Sequence, residues 1–210
     1  YKIDSEKIFL VLNKIDISQN KHTSKNILRD DYGFSHDDKL IIYAGRLDVN
    51  KGIVNLLRAF KKLLNHIPNA KLIIAGSGDY NTVLSEIKPI WSKVYLTGFI
   101  EKEELYNLYR LSDLGVVPSY FEEFGYVALE MMYNGLSVLV NDVGGLHEQA
   151  KRSQFIHAVN MTELSSEQLA SEIKCKLLYP ERNLFLKMNK EQLNINETMG
   201  IVQIYKRLLT

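Results

Sequence analysis

The sequence predicts an α/β domain in which a parallel β-sheet is covered by helices on both faces. Short β-rich runs alternate along the chain with longer segments whose apolar residues recur at helical spacing. Several of those short runs lead directly into glycine-containing loops, which is how open parallel sheets present ligand-binding segments at their carboxyl edge. The 210 residues, 46% hydrophobic and 24% charged, suffice to bury a sizeable core in one domain.

Lys7 to Leu12 and Leu40 to Ala44 read as strands, and the polar stretch Ser18 to Asp31 between them reads as an exposed excursion. Ile53, Leu56, Leu57, Phe60, Leu63 and Leu64 then repeat with helical period, so a helix begins near Gly52. Asn69-Ala70 leads into a strand at Lys71 to Ala75, the turn Gly76-Ser77-Gly78-Asp79 follows, and a helix runs toward Ile87 until Pro89 stops it. Lys93 to Thr97 is the next strand. Glu101 to Leu111 is a helix with Leu105, Leu108 and Leu111 on one side, and Leu114 to Val117 is a buried strand closed by Pro118. A helix containing Glu130 ends at Gly135, where glycine favours a left-handed cap. Ser137 to Val140 and Phe155 to Val159 complete the sheet, and two or three helices follow between Ser165 and Leu209.

A net charge of +1 gives no electrostatic reason to propose a nucleic-acid partner, and no polybasic run marks a membrane surface. No apolar stretch approaches the roughly 18 to 20 residues that span a bilayer, and no signal segment opens the chain, so the expected location is cytoplasmic. Cys175 is the single cysteine and sits at an ordinary helix position. The five histidines show no metal-ligand spacing, so no metal site is expected.

Two charge placements point to chemistry. Between Tyr126 and Tyr133 the only charged side chain is Glu130, eight residues beyond Glu122. A carboxylate in an apolar helix is costly unless hydrogen-bond donors receive it, and a polyol supplies them; pairing with a Lys or Arg, or exposure to water, is the plainer alternative. Arg46 and Lys51 flank the short loop that links a strand to a helix start. A cation at a helix amino terminus opposes the dipole unless an anion shares the site, and phosphate fits; otherwise Lys51 faces water or pairs with Asp48. The segment is not a Walker loop, because Lys51 precedes its glycine.

Gly45-Arg46, Gly76-Ser77-Gly78, Gly98-Phe99, Ser119 to Gly125 and Val143-Gly144-Gly145 all follow predicted strands and therefore gather at one edge of the sheet. Their glycines permit close backbone approach to a ligand, although each alone is equally a turn device. Gly76-Ser77-Gly78 is not a dinucleotide fingerprint, since Asn81 stands where a third glycine belongs.

These residues together resemble the carboxyl-terminal, donor-binding, Rossmann-like half of retaining glycosyltransferases with the two-domain GT-B fold, in particular family 4 and its glycogen-synthase-like group. The resemblance rests on Asn13-Lys14-Ile15-Asp16, Gly45-Arg46-Leu47 with Lys51-Gly52, Ala75-Gly76-Ser77-Gly78, Gly98-Phe99, Pro118-Ser119, the Glu122 and Glu130 pair, and Asp142-Val143-Gly144-Gly145. It implies that Arg46, Lys51 and Glu122 are catalytic: the two cations on the diphosphate of a nucleotide sugar, Glu122 on the donor sugar. Donor binding would fall to Gly45, Gly76, Gly78, Gly98, Phe99, Glu123, Phe124, Gly125 and Glu130, with Glu130 on the ribose and the region of Thr97 to Phe99 bracketing the base. No cofactor is implied beyond the nucleotide-diphosphate sugar as donor substrate. Transfer to a glycan, lipid-linked sugar or other acceptor would be metal-independent and retain configuration.

Glu123 stands where the family has glycine, His147 where it often has proline, and Lys14 where it often has glycine; neither His147 nor Lys14 is assigned a catalytic role. The resemblance also implies an acceptor-binding amino-terminal domain that these residues lack, so residues 1–210 are expected to form one half of a longer enzyme, inactive alone and open to peripheral membrane association when whole. Other classes that the same motifs admit are a non-catalytic nucleotide-sugar-binding or regulatory subunit and a GT-B-fold epimerase. A phosphorylase would need a cofactor-bearing Lys motif, which is not found.

Overall fold

The computed structural model describes residues 24–179. The elements, in chain order, are α1 (Lys25–Asp31), β1 (Lys39–Ala44), α2 (Ile53–Leu63), β2 (Ala70–Ala75), α3 (Tyr80–Ile87), β3 (Val94–Gly98), α4 (Lys102–Leu111), β4 (Leu114–Val117), α5 (Tyr126–Tyr133), β5 (Ser137–Asn141), α6 (Gly144–Arg152), β6 (Ile156–Val159) and α7 (Ser166–Leu178). The strands form one sheet in the order β3-β2-β1-β4-β5-β6, and every pairing is parallel. The predicted α/β fold class is therefore observed, as a six-stranded Rossmann-like sheet. The predicted strand at Lys7 to Leu12, the Asn13 to Asp16 motif and any helix beyond α7 lie outside the described residues.

Alternation along the strands explains the two-sided core. On β1, Ile41 and Tyr43 pack into one layer with α2, α3 and α7, whereas Leu40, Ile42 and Ala44 pack into the other with α1, α4, α5 and α6. Both faces are apolar, as a sheet covered on both sides requires. α2 buries Ile53, Leu56, Leu57, Phe60 and Leu63 against the first layer, the stripe seen in the sequence. The direction of winding reverses between β1 and β4, which pair through Ile41 with Leu114 and Ile42 with Gly115. Loops leaving these two strands diverge there, and such a switch point is where open sheets leave a crevice.

One sequence expectation is overturned and one element is added. The excursion Ser18 to Asp31 is helical from Lys25, with Ser24 as its cap, and Leu28 and Arg29 are buried. Seven residues with one apolar turn give periodicity nothing to register; tertiary bonds hold the segment instead. The buried Arg29 guanidinium donates to the carbonyls of Leu111, His36 and Asp38 and to the Asp113 carboxylate. Val143-Gly144-Gly145, which follows a predicted strand as expected, also opens α6, a helix that the sequence reading did not single out. Two glycines are poor helix formers, yet a Cβ at Gly145 would stand 2.4 Å from the Glu123 carbonyl oxygen, so packing dictates them.

Candidate functional site

The predicted site residues lie in the loops after the strands and on α5, and the structure brings Lys51 and Glu122 into direct contact. Tyr43, near the end of β1, is buried and donates its hydroxyl to the Arg46 carbonyl at 2.5 Å, pinning the turn from which Arg46 projects. Burial pushes the Tyr43 phenol far up, with Asp48 adding to the effect, so this donor stays protonated. The Arg46 side chain is 78% exposed and reaches Asp48 at 3.5 Å. Asp48 also accepts from the Lys51 amide, capping a 3-10 turn at Val49–Lys51.

Lys51 takes neither alternative left open by the sequence. Its ammonium lies 2.7 Å from the Glu122 carboxylate, across the switch point, with both side chains about three-quarters buried. The loops that carry them are joined by backbone: the Tyr120 amide donates to the Asn50 carbonyl at 2.8 Å, and Gly52, at φ 69°, lies so near Pro118 that a Cβ would sit 2.0 Å from its carbonyl oxygen. Gly52 is the left-handed joint between the 3-10 turn and α2, a conformation that glycine alone adopts cheaply.

The Glu122 loop is gripped from behind by β5 and α6. The Gly145 amide donates to the Glu122 carbonyl at 2.9 Å, and the buried Gln149 amide donates to the carbonyls of Phe124 and Gly125. Asn141, fully buried at the end of β5, donates to the Ser119 carbonyl at 2.9 Å and accepts from the Met161 amide at 2.8 Å. Neither residue was singled out from sequence, because a Gln in a polar segment and an Asn at a strand end look like surface. Tyr43 was missed for the converse reason, as one more large residue in a buried strand.

Glu130 projects from the middle of α5 with its side chain 21% exposed, and Lys102 approaches no closer than 3.8 Å. Burial holds its carboxyl above the ordinary value, while Lys102 and hydrogen bonding from Tyr106 oppose the shift. The plainer alternative, pairing with a Lys, is thus met at long range, and burial still outweighs both partners. Glu123 and Phe121 are exposed, and the Phe124 ring lies 4.7 Å from that of Tyr126. Phe99 is 77% exposed beyond β3, two strands from the switch point.

The remaining predicted glycines have partners within the chain. A Cβ at Gly76 would stand 1.9 Å from the Gly45 carbonyl oxygen, and the Gly76 amide donates to Gly98 at 2.8 Å. Gly78 bridges to Leu47, flanked by bonds from Leu47 to Ser77 and from Asp79 to Leu47. Close approach here joins the loops after β1, β2 and β3 to one another. His147 pairs with Asp142 near the start of α6. Among the described residues no three His, Cys, Asp or Glu side chains form a metal-ligating group, and no helix is long and apolar enough to cross a membrane. Cys175 is exposed on α7.

Chemically, this edge presents a paired cation and carboxylate at the crevice, an exposed second cation on the same β1 loop, and a buried carboxylate on α5 that its partners only partly offset. Such a set suits a ligand that carries both an anionic group and hydroxyls. The chain is 44% identical over 131 residues to an uncharacterized glycosyltransferase of Methanocaldococcus jannaschii, a match covering 61% of this chain and 32% of that protein. It is 29% identical over 194 residues to the lipopolysaccharide 1,2-N-acetylglucosaminetransferase of Salmonella typhimurium, covering 87% of this chain and 50% of the relative. Among solved structures, Anabaena HepE, determined with UDP and glucose, shares the fold with a TM-score of 0.73 at 20% identity, over 95% of this chain and 56% of that one. The chain thus spans between a third and a half of the length of these curated relatives. The model of the family "Glycosyl transferases group 1" matches residues 24–192, and with the GT-B architecture of the solved neighbours it places the chain among the group 1 glycosyl transferases.

Proposed function

We propose that this chain is the donor-binding half of a glycosyltransferase, holding a nucleotide-diphosphate sugar at the carboxyl edge of its sheet for metal-independent transfer with retention of configuration. The observation that carries the reading is the Lys51 and Glu122 pair across the switch point, backed by Glu130 on α5. In this reading Arg46 and Lys51 neutralise the diphosphate as negative charge grows on it, the term that dominates such a transition state. Glu122 meets hydroxyls of a hexosyl donor and steadies positive charge at the anomeric carbon. Glu130 accepts from the ribose hydroxyls, the polyol that its apolar helix lacks. The Phe124 and Gly125 amides at the start of α5, Glu123 beside them and the loops holding Gly45, Gly76, Gly78, Gly98 and Phe99 enclose the rest of the donor. HepE, whose structure holds UDP and glucose, is a precedent for such a ligand in the same fold.

The acceptor, whether a glycan, a lipid-linked sugar or another hydroxyl compound, would be supplied by an amino-terminal domain elsewhere in a longer cytoplasmic protein, and this half alone binds donor without transferring. Calorimetry with UDP, GDP, ADP and CMP in the presence of a chelator tests the reading. One nucleotide is expected to bind, and Lys51→Ala and Glu130→Ala each to weaken it about 10- to 100-fold, since each removes a charge-assisted contact of roughly 1.5 to 3 kcal/mol. Absence of binding by every nucleotide and nucleotide sugar, or binding unmoved by either change, rejects the site. An inverted anomeric product, seen by proton NMR with the longer enzyme, rejects retention.

A further inference from the structure

The cation proposed for phosphate already faces an anion of the protein. Lys51 Nζ lies 2.7 Å from Glu122 Oε2, and the remaining exposure of the two side chains is only 24% and 20%. The two carrier loops are joined to each other and to α6. The Tyr120 to Asn50 backbone bond and the contact of Gly52 with Pro118 clamp them together, while the Gly145 amide holds the Glu122 carbonyl. Arg46 is arranged differently, exposed and 3.5 Å from Asp48. Any anion that approaches Lys51 therefore meets the Glu122 charge a few ångströms away, in a partly dehydrated crevice where like charges repel more strongly than in bulk water.

We infer that Glu122 discriminates a nucleotide sugar from the bare nucleoside diphosphate. A bare diphosphate competes with Glu122 for Lys51 and leaves the carboxylate without a compensating donor. A nucleotide sugar places the same phosphates but brings hydroxyls that donate to Glu122, so the displaced carboxylate is satisfied by the ligand itself. The consequence for turnover is directional: once the sugar has left, the diphosphate product faces the repulsion without the hydroxyls and is released. The inference rests on the donor-site reading and adds to it a reason for pairing the two residues directly.

The test measures calorimetric affinities of UDP, GDP and ADP and of UDP-glucose, GDP-mannose and ADP-glucose for the purified chain, with chelator and at constant ionic strength. Wild type, Glu122→Gln, Glu122→Ser, Lys51→Met and the Glu122→Gln, Lys51→Met double variant are compared. Loss of the Glu122 charge is expected to tighten the recognised bare diphosphate about tenfold while its sugar conjugate gains little or loses affinity. On the Lys51→Met background the part of the gain that comes from competition for the ammonium is lost and the part that comes from direct repulsion remains, so the double variant separates the two. Glu122→Ser guards against an effect peculiar to the amide, and circular dichroism confirms that each variant is folded. If wild type binds a diphosphate and neither Glu122 variant binds it more tightly, the inference is overturned while the donor site stands. If no nucleotide binds wild type or variants, the donor-site reading fails and the inference with it.

Discussion

Glu130 carries a cost in folding stability that the proposed donor site would explain. Burial raises its carboxyl above the ordinary 4.5, against Lys102 and Tyr106, which favour the ionised form. A raised carboxyl means that the folded state binds more protons than the unfolded chain as pH climbs through and above 4.5, so folding stability falls across that window. Glu130→Gln removes the cost. Its melting temperature at neutral pH is expected to equal or exceed that of wild type, while nucleotide affinity drops about tenfold with the lost charge-assisted acceptor. A lower melting temperature, measured by calorimetric scanning, would show that the carboxylate stabilises the fold instead. Gln149 does the opposite work, serving the fold of the Glu122 loop from behind. Its Oε1 is buried without a partner even as its amide holds the carbonyls of Phe124 and Gly125. Gln149→Leu is expected to lose only about 1 kcal/mol overall, because an unsatisfied acceptor leaves along with the donors. Hydrogen exchange at the amides of residues 122–126 should accelerate more than that global loss explains.

At the scale of elements, the site is a set of joints. Gly52 ends one turn, starts α2 and lets the β1 and β4 loops touch. Gly52→Ala is expected to cost about 3 kcal/mol or more, combining left-handed strain with a Cβ that would lie 2.0 Å from the Pro118 carbonyl oxygen. Gly33 provides the control: its φ is 71°, but an added Cβ would meet nothing within 4 Å, so Gly33→Ala is expected to cost about 1 to 2 kcal/mol. The difference, read from urea unfolding, isolates the loop contact. Equal costs would show that the contact yields without penalty. Elements with strong periodicity were legible in advance: β1, β2, β4 and α2 lie within a residue or two of expectation. α1 and α6 were not, because α1 is short and α6 begins with two glycines. Their stability comes from partners distant in sequence, Asp113 for α1 and the Glu122 loop for α6.

The whole molecule is tied at its other edge by the Asp113 cluster, where α1 and the chain entering β1 meet the start of β4. Asp113 receives the Lys25 ammonium at 2.7 Å, the Arg29 guanidinium at 2.8 Å and the Leu40 amide at 2.7 Å. Burial pushes its carboxyl up, but Lys25, the Leu40 amide and Arg29 together outweigh that and hold it below the ordinary 3.8. A depressed carboxyl contributes stability that is present above 3.8 and is lost as pH falls toward the folded value. Asp113→Asn is therefore expected to cost about 3 to 5 kcal/mol at neutral pH by stranding the buried Arg29, and to flatten the acid limb of the stability profile. An unchanged acid limb in urea titrations would show that other carboxylates govern it. The candidate site lies at the opposite edge, so nucleotide affinity of the folded variant should be unaltered.

By itself the sequence determined the alternation of strands and helices, the gathering of loops at one edge of the sheet, and the odd placement of Glu130, Arg46 and Lys51, since apolar period, turn chemistry and isolated charges are local properties. Only the tertiary structure decided that Lys51 pairs with Glu122 rather than Asp48, that Gly76 and Gly78 join loops to one another, and that Tyr43, Asn141 and Gln149 hold the site from beneath. Those facts depend on which strands become neighbours. Strand order is a property of the collapsed chain: residues 71 positions apart come within hydrogen-bonding distance only once β1 and β4 share the centre of the sheet.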